Sequence, residues 1–521
     1  MRGLAHARID DRRSYPRETS GLDERGEMRP DTSGENRDTE VVRSQAVVMA
    51  ASRAAGHGAY LGRGVGGPSF ATPEHCVLVL GPPRSGKTSG IVIPNVLAAC
   101  GSVVAASTKP DVLLETASAR RRVGSCVLFD PSGRTVPPDG VDLVGWSPVH
   151  GASSWDVSVL TADAMVGAAR PSRNDAESTH WSERASALLS CLLHATCLGG
   201  SSLDVLVSSV NRHDATRARA VLARAGADLA SDVLEGILAT DAREQSGIWS
   251  TASGILSAYR TSAALASARL PAFDARHFVE GRSTLYIATS AEHQRHAAPI
   301  VAGILRDIRS AAYDLAARRL RARQSTATTG PVGADGRDAP LLLVLDELAG
   351  IAPLHDLGTL VAEGASQGIT TLACLQDLSQ ARRRWGVEAD GFLTLFGTVV
   401  VLGGIGDTRT LESLSVLAGE VDVEHVSKTT PTGILHRRPA NRTVTTQRLR
   451  RLPPDRIANP PRGAAVVYSG THPSSVVLTP RHETEPWRSI PGRTPTRSLA
   501  GQELRTREAR PRGRDATGIG R

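Results

Sequence analysis

The chain has 521 residues, 61 basic against 53 acidic, for a formal charge of +8 and a pI near 9.5, a balance that suits a polyanionic partner. No run of 18 apolar residues occurs, so the sequence offers no membrane span of its own. Cysteines at 76, 100, 126, 191, 197 and 374 lack C-x-x-C spacing and sit mostly in apolar runs, which reads as reduced core thiols in place of disulfides or zinc ligands.

In chain order, residues 1–45 come first. The first 44 mix nine arginines with ten acidic residues and show almost no apolar periodicity, so an unstructured leader is expected. Its acids argue against a transit peptide. Residues 46–154 follow as the first part of an α/β domain, carrying the apolar runs CVLVL (76–80), SVVAAS (102–107) and SCVLFD (125–130). From 155 to 275 the pattern turns helical: Trp181, Ala185, Leu188, Leu189 and Leu192 share one face, as do Ile248, Ala252, Ile255, Leu256 and Tyr259. An inserted all-α domain is expected there. Residues 276–480 return to the α/β pattern with STLYIAT (283–289), LLLVLDE (341–347), TTLACLQ (370–376) and TVVVLGGI (398–405). These runs are continuous instead of alternating, which predicts a parallel sheet covered on both faces. Residues 323–339 read as a surface linker. Residues 481–521 hold ten Arg against four Glu and one Asp, and are expected to form a basic, disordered tail.

Only three of the 61 basic residues are lysine: Lys87, Lys109 and Lys428. A lysine that survives such a bias invites a reason, because a compact ammonium fits where a planar guanidinium does not. Around Lys87 the sequence supplies one. Gly81, Pro82, Pro83, Arg84, Ser85, Gly86, Lys87, Thr88 and Ser89 follow the strand CVLVL and spell G-x-x-x-x-G-K-T-S. Such a turn aims backbone N–H groups at phosphate from a helix N-terminus. The pattern is that of a P-loop for ATP, with Lys87 on the β- and γ-phosphates and Thr88 on Mg²⁺. Pro94 stands where the next helix would continue, so that helix is expected to be kinked or short.

Asp346 and Glu347 close the most hydrophobic strand, at the carboxyl end where such sheets bind ligands. Asp346 is the expected Mg²⁺ acid and Glu347 the expected general base. Gln376 ends TTLACLQ in the equivalent place, where a neutral amide can touch the γ-phosphate or the attacking water and sense hydrolysis. His293 and His296 flank a loop and read as surface histidines.

The segments GPPRSGKTSGIVIPN, STKPD, HWSERASALL, TLYIATSAEHQRHAAPIVAGIL, LLLVLDELAGIAPLHDLGTLVAEGASQGITTLACLQDLSQARRRWG, VLGGIGDTRTLESLSVLAG and LRRLPPDRIANPPRGAAVVYSG together resemble the type IV secretion coupling proteins, the TraG/TraD-like conjugative DNA-transfer ATPases. The resemblance implies a RecA-like P-loop motor domain carrying an all-α domain. It also implies a ring of six subunits at the cytoplasmic, inner face of the cell membrane, and ATP-driven movement of single-stranded DNA with its relaxase, or of a secreted protein, into a secretion channel. It assigns Lys87 and Thr88 to Walker A, Asp346 and Glu347 to Walker B, Gln376 to the family glutamine, and Lys109 to a lysine after the second strand. Two departures stand out. Family members usually carry N-terminal transmembrane helices and this sequence shows none, which puts direct membrane anchoring in question and leaves a separate membrane anchor as one option. Many also carry a basic residue where Glu363–Gly368 reads EGASQG, so a trans-acting arginine must come from elsewhere, with Arg382, Arg383 and Arg384 as candidates.

A nucleotide-gated docking platform for secretion substrates with little turnover, and a DNA pump of the FtsK kind, are the alternatives. The second shares the P-loop but is not expected to carry LRRLPPD or the large helical insertion.

Overall fold

The computed structural model describes residues 32–169, 176–290, 292–325, 339–429, 441–490 and 492. All seven continuous apolar runs become neighbouring parallel strands. They are β3 (Val77–Leu80), β4 (Val103–Ser107), β5 (Cys126–Phe129), β7 (Thr284–Ala288), β8 (Leu341–Leu345), β9 (Ile369–Leu375) and β10 (Thr398–Leu402). Five further strands complete this sheet: β1 (Tyr60–Gly64), β2 (Gly67–Phe70), β6 (Asp142–Leu143), β13 (Ala464–Ser469) and β14 (His472–Val477). The order is β2-β1-β14-β13-β10-β3-β9-β8-β4-β7-β5-β6, parallel from β10 to β6 and antiparallel from β10 outward to β2. β11 (Glu420–Thr429) and β12 (Asn441–Arg450) form a separate two-stranded hairpin.

Both faces of the seven parallel strands from β10 to β5 are covered, as their unbroken hydrophobicity requires, while the two-residue edge strand β6 is exposed. In β3 the side chains alternate between two clusters, Leu78 and Leu80 in one and Val77 and Val79 in the other. On the second face lie α2 (Ile93–Ala98) and α3 (Asp111–Arg120), with Val96, Val112 and Leu113 packed on the sheet. α1 (Thr32–Ala54) lies against α2, and Gln45 Nε2 donates to the Ala119 carbonyl at 2.9 Å.

Between β6 and β7 the described chain is helical: α4 (Trp155–Ala169), α5 (Ala176–Leu198), α6 (Leu203–Arg212), α7 (Thr216–Ala225), α8 (Asp228–Leu238), α9 (Ala242–Ile255), α10 (Ser262–Ser267) and α11 (Ala275–Glu280). The two predicted apolar stripes face inward, and Ala185, Leu188, Leu189, Ile248, Ala252 and Ile255 are all buried. Their core is continuous with the first face of the sheet, since Leu80, Phe129, Trp146 and Leu188 belong to one cluster. α12 (Gln294–Ser325) carries that core onward, and Gly303 lets the Trp146 ring lie where a Cβ would stand 2.1 Å from it. The remaining helices are α13 (Leu348–Ile351), α14 (Leu357–Glu363), α15 (Leu378–Trp385), α16 (Phe392–Leu395), α17 (Thr408–Ala418) and α18 (Pro454–Ala458).

The two terminal boundaries differ from expectation. The unstructured leader was expected through residue 45, yet α1 begins at Thr32, because Val41, Gln45 and Val48 find burial on the sheet domain. The tail was expected to start at 481, yet Arg481, Trp487 and Ile490 are buried. Trp487 lies against Tyr60 with ring centroids 5.3 Å apart, and Arg481 pairs with Glu115. Residues 1–31 and 493–521 lie outside the described residues.

Candidate active site

β3 ends at Leu80 because Gly81 must approach its surroundings closely: a Cβ there would stand 2.7 Å from Ser85 Oγ and 3.0 Å from Leu402 Cβ. Arg84 and Gly86 both take positive φ, 64° and 95°, which folds residues 81–87 back over the strand end. The turn of π-helix Thr88–Val92 follows, and α2 starts with Pro94 in its first turn and ends at Ala98. The helix after the loop is thus short, as Pro94 led us to expect. Ser85 Oγ is buried without a hydrogen-bond partner.

Lys87 Nζ donates to the carbonyls of Gly81 and Pro82, the second at 3.0 Å. Thr88 Oγ1 donates to Asp346 Oδ1 and Oδ2 at 3.1 and 3.2 Å, and Ser107 Oγ donates to Oδ2 at 3.0 Å. β8 positions this carboxylate beside β4, with Asp346 N donating to the Ala106 carbonyl at 2.9 Å. Burial pushes the Asp346 carboxyl above the usual carboxylate range, while the hydroxyls of Ser107 and Thr88 and the charge of Lys87 pull the other way. Glu347 is raised too, first by burial and also by Asp346, against a hydrogen bond from Gln380 and the charge of Lys87.

β9 lies between β3 and β8, so Gln376, one residue past its end, sits between the Gly-rich turn and the two acids. Its backbone N–H donates to Gln380 Oε1 at 2.9 Å, and Gln380 Nε2 donates to Glu347 Oε1 at 2.6 Å. Gln380 and Ser107 were not legible as site residues. Ser107 closes a run read only as strand, and Gln380 stands four residues past Gln376, a helical spacing that α15 realises. Ser89, Arg84, Ser85 and Gly86 line one wall of a cleft beside the turn, and Leu402, Pro460, Arg462 and Leu478 line the other. Pro83 is exposed at the turn's tip, and so is Lys109, whose N–H donates to Ser107 Oγ at 3.4 Å.

Of the three candidate arginines, Arg382 pairs with Asp390 and Asp407, at 2.8 and 3.3 Å, and Arg384 is held by backbone carbonyls. Arg383 is exposed. His293 Nδ1 lies 2.8 Å from Ser290 Oγ.

The donor set fits a nucleotide and its cation. A serine hydroxyl without a partner lies inside a turn of positive-φ residues, a lysine ammonium rests on the same turn, and hard oxygens from Thr88 and Asp346 meet at one point. A parallel sheet with this Gly-rich turn after one strand, and two acids ending a strand one place removed, defines a RecA-like P-loop protein. The profile described as Type IV secretory system Conjugative DNA transfer matches residues 24–476, and the chain belongs to that family. Comparison with curated proteins gives no match.

Solved structures share the fold. The bacterial conjugative coupling protein TrwBdeltaN70, in its unbound monoclinic form, is 21% identical with a TM-score of 0.60, over 85% of this chain and 91% of that one. Plasmid coupling protein TrwB in complex with ADP and Mg²⁺ is 21% identical, TM-score 0.57, over 81% and 89%. The same protein with the ATP analogue ADPNP is 20% identical, TM-score 0.57, over 82% and 88%.

Proposed function

We propose that this chain is an ATP-hydrolysing coupling protein that moves single-stranded DNA, with its relaxase or a secreted protein, into a type IV secretion channel. The observation that carries the reading is the meeting of Thr88 with Asp346, with the Lys87 charge acting on both Asp346 and Glu347. Lys87 would exchange its two carbonyl partners for phosphate oxygens and offset their charge. Thr88 and Asp346 would hold Mg²⁺, which supplies charge neutralisation at the phosphates. Glu347, kept basic by burial, takes a proton from the attacking water. Gln376 senses the terminal phosphate from the end of β9. Family membership and the solved structures of TrwB with ADP, Mg²⁺ and ADPNP support the nucleotide assignment.

On this reading the working assembly is a homo-hexamer at the inner face of the cell membrane, joined to channel subunits. No described helix is long and apolar enough to cross a membrane. The test is equilibrium binding of a fluorescent ATP analogue with and without Mg²⁺, followed by turnover. Binding that needs Mg²⁺ and Lys87, with turnover lost in Glu347→Gln, supports the reading; equal turnover in Glu347→Gln contradicts it.

A further inference from the structure

α15 touches the site at one end and the helical segment at the other. Its Asp377 N-cap accepts from the N–H groups of Ser379 and Gln380, which fixes the first turn directly after Gln376. From that turn the Gln380 carboxamide reaches two groups at once, accepting from Gln376 N–H and donating to Glu347 Oε1. These partners fix which end of the amide faces which, so the base and the sensing residue belong to one hydrogen-bonded chain.

One turn further along the helix stands Arg384. Its Nη2 donates to the carbonyls of Gly167 at 2.9 Å, Ala168 at 2.7 Å and Pro353 at 3.2 Å. Gly167 and Ala168 belong to the last turn of α4, whose carbonyls have no partner within their own helix. The guanidinium therefore caps α4 from another part of the chain, at the negative end of its dipole. Pro353 lies shortly after the two acids of β8, so one side chain joins α15, α4 and the segment leaving Glu347. Burial lowers the Arg384 pKa to about 10. A half-buried arginine held by backbone carbonyls is a costly way to join two helices, and an apolar contact would join them more simply. What it adds is direction, because three carbonyls on two segments orient a planar fork.

We propose that Gln380 is a positioning residue for Glu347 and that α15, through Arg384, links the hydrolytic site to the end of α4, so that nucleotide occupancy is felt in the helical segment. The proposal rests on the reading of Glu347 as the catalytic base. When the Glu347 carboxylate reorients around bound nucleotide, Gln380 moves with it, and the rigid turn from 380 to 384 carries that shift to the carbonyls of Gly167 and Ala168.

Hydrogen–deuterium exchange on the full chain tests this, reading the peptide that spans Met165–Ala169 with and without Mg²⁺ and a non-hydrolysable ATP analogue. Nucleotide is expected to change its exchange rate at least threefold in the parent. In Arg384→Met and in Gln380→Leu the change is expected to fall below 1.5-fold, and Arg384→Lys is expected to restore part of it. Arg384→Met is expected to bind nucleotide as the parent does. Should Arg384→Met lose its circular dichroism signal, Gln380→Leu decides alone, since it leaves the cap of α4 in place. Nucleotide binding with no change at Met165–Ala169 in the parent overturns the link while leaving the site reading intact. A full parental response in both variants overturns it as well. A parent that binds no Mg²⁺-nucleotide overturns the site reading, and the link with it.

Discussion

Thr88 and Asp346 stand 258 residues apart in sequence, and Thr88 Oγ1 donates to both oxygens of the Asp346 carboxylate. The sheet makes this contact by placing β3 and β8 on either side of β9. If the pair holds Mg²⁺, Thr88→Val raises the Mg²⁺ concentration needed for half-maximal nucleotide binding by about 10–100-fold. Titration of binding with Mg²⁺ checks this, and an unchanged midpoint contradicts it.

The same carboxylate is a stability liability. The Asp346 pKa is raised in the fold, so its stability contribution is greatest below the unfolded carboxylate pKa and is lost as pH rises through the raised folded value. At neutral pH the buried charge therefore opposes folding, and Asp346→Asn is predicted to melt a few degrees higher than the parent in the absence of Mg²⁺ and nucleotide. Thermal unfolding at pH 7 and at pH 4 separates the outcomes, since the gain shrinks at the lower pH.

If Glu347 is the general base, it sets the acid limb of turnover. Its pKa lies above the ordinary glutamate range, and the Gln380 hydrogen bond holds it down. Turnover falls as pH drops through that raised value, and Gln380→Leu moves the limb to higher pH because it removes a bond to the charged form. Glu347→Gln lowers turnover by about 10²–10⁴-fold. A limb that moves to lower pH in Gln380→Leu contradicts the assignment.

His355 joins the segment after β8 to α4 through Asp163 at 3.2 Å. The hydrogen bond to Asp163 raises the His355 pKa, with Asp356 adding to it and burial and Arg309 opposing. Its stabilisation is full below about 6.5 and is lost as pH rises through the raised folded value. His355→Gln should therefore cost more stability at pH 6 than at pH 9, measured by denaturant unfolding. An equal cost at both pH values places the effect in packing alone.

The C-terminal boundary gives a truncation test. A chain ending at Pro480 loses the buried Arg481 with its Glu115 partner and the burial of Trp487 and Ile490, a predicted cost of about 3–5 kcal/mol. A chain ending at Gly492 keeps all three and should not show that loss.

The parallel half of the sheet was legible because strands buried on both faces are written as unbroken apolar runs, and all seven such runs are strands. The antiparallel extension was not. β2 is the four residues GPSF, and β14 buries only Val476 completely, so neither shows a run or a clean alternation. α1 shows no apolar stripe in the sequence, because the buried positions among its described side chains are Val41, Gln45, Val48 and Ser52, two of them polar. At the site, the Gly-rich turn and the acids after β8 announce themselves by spacing. Gln380 becomes visible only once β9 lies beside β8 and α15 brings its amide to Glu347.

Whether this chain is a DNA-coupled motor is decided by ATP hydrolysis of the purified protein, with and without single-stranded DNA and beside Lys87→Ala. A motor shows turnover that DNA stimulates, that weakens with salt as phosphate contacts are screened, and that Lys87→Ala abolishes. Tight ATP binding with no turnover under any DNA or salt condition would contradict the motor and leave a nucleotide-gated docking platform in its place.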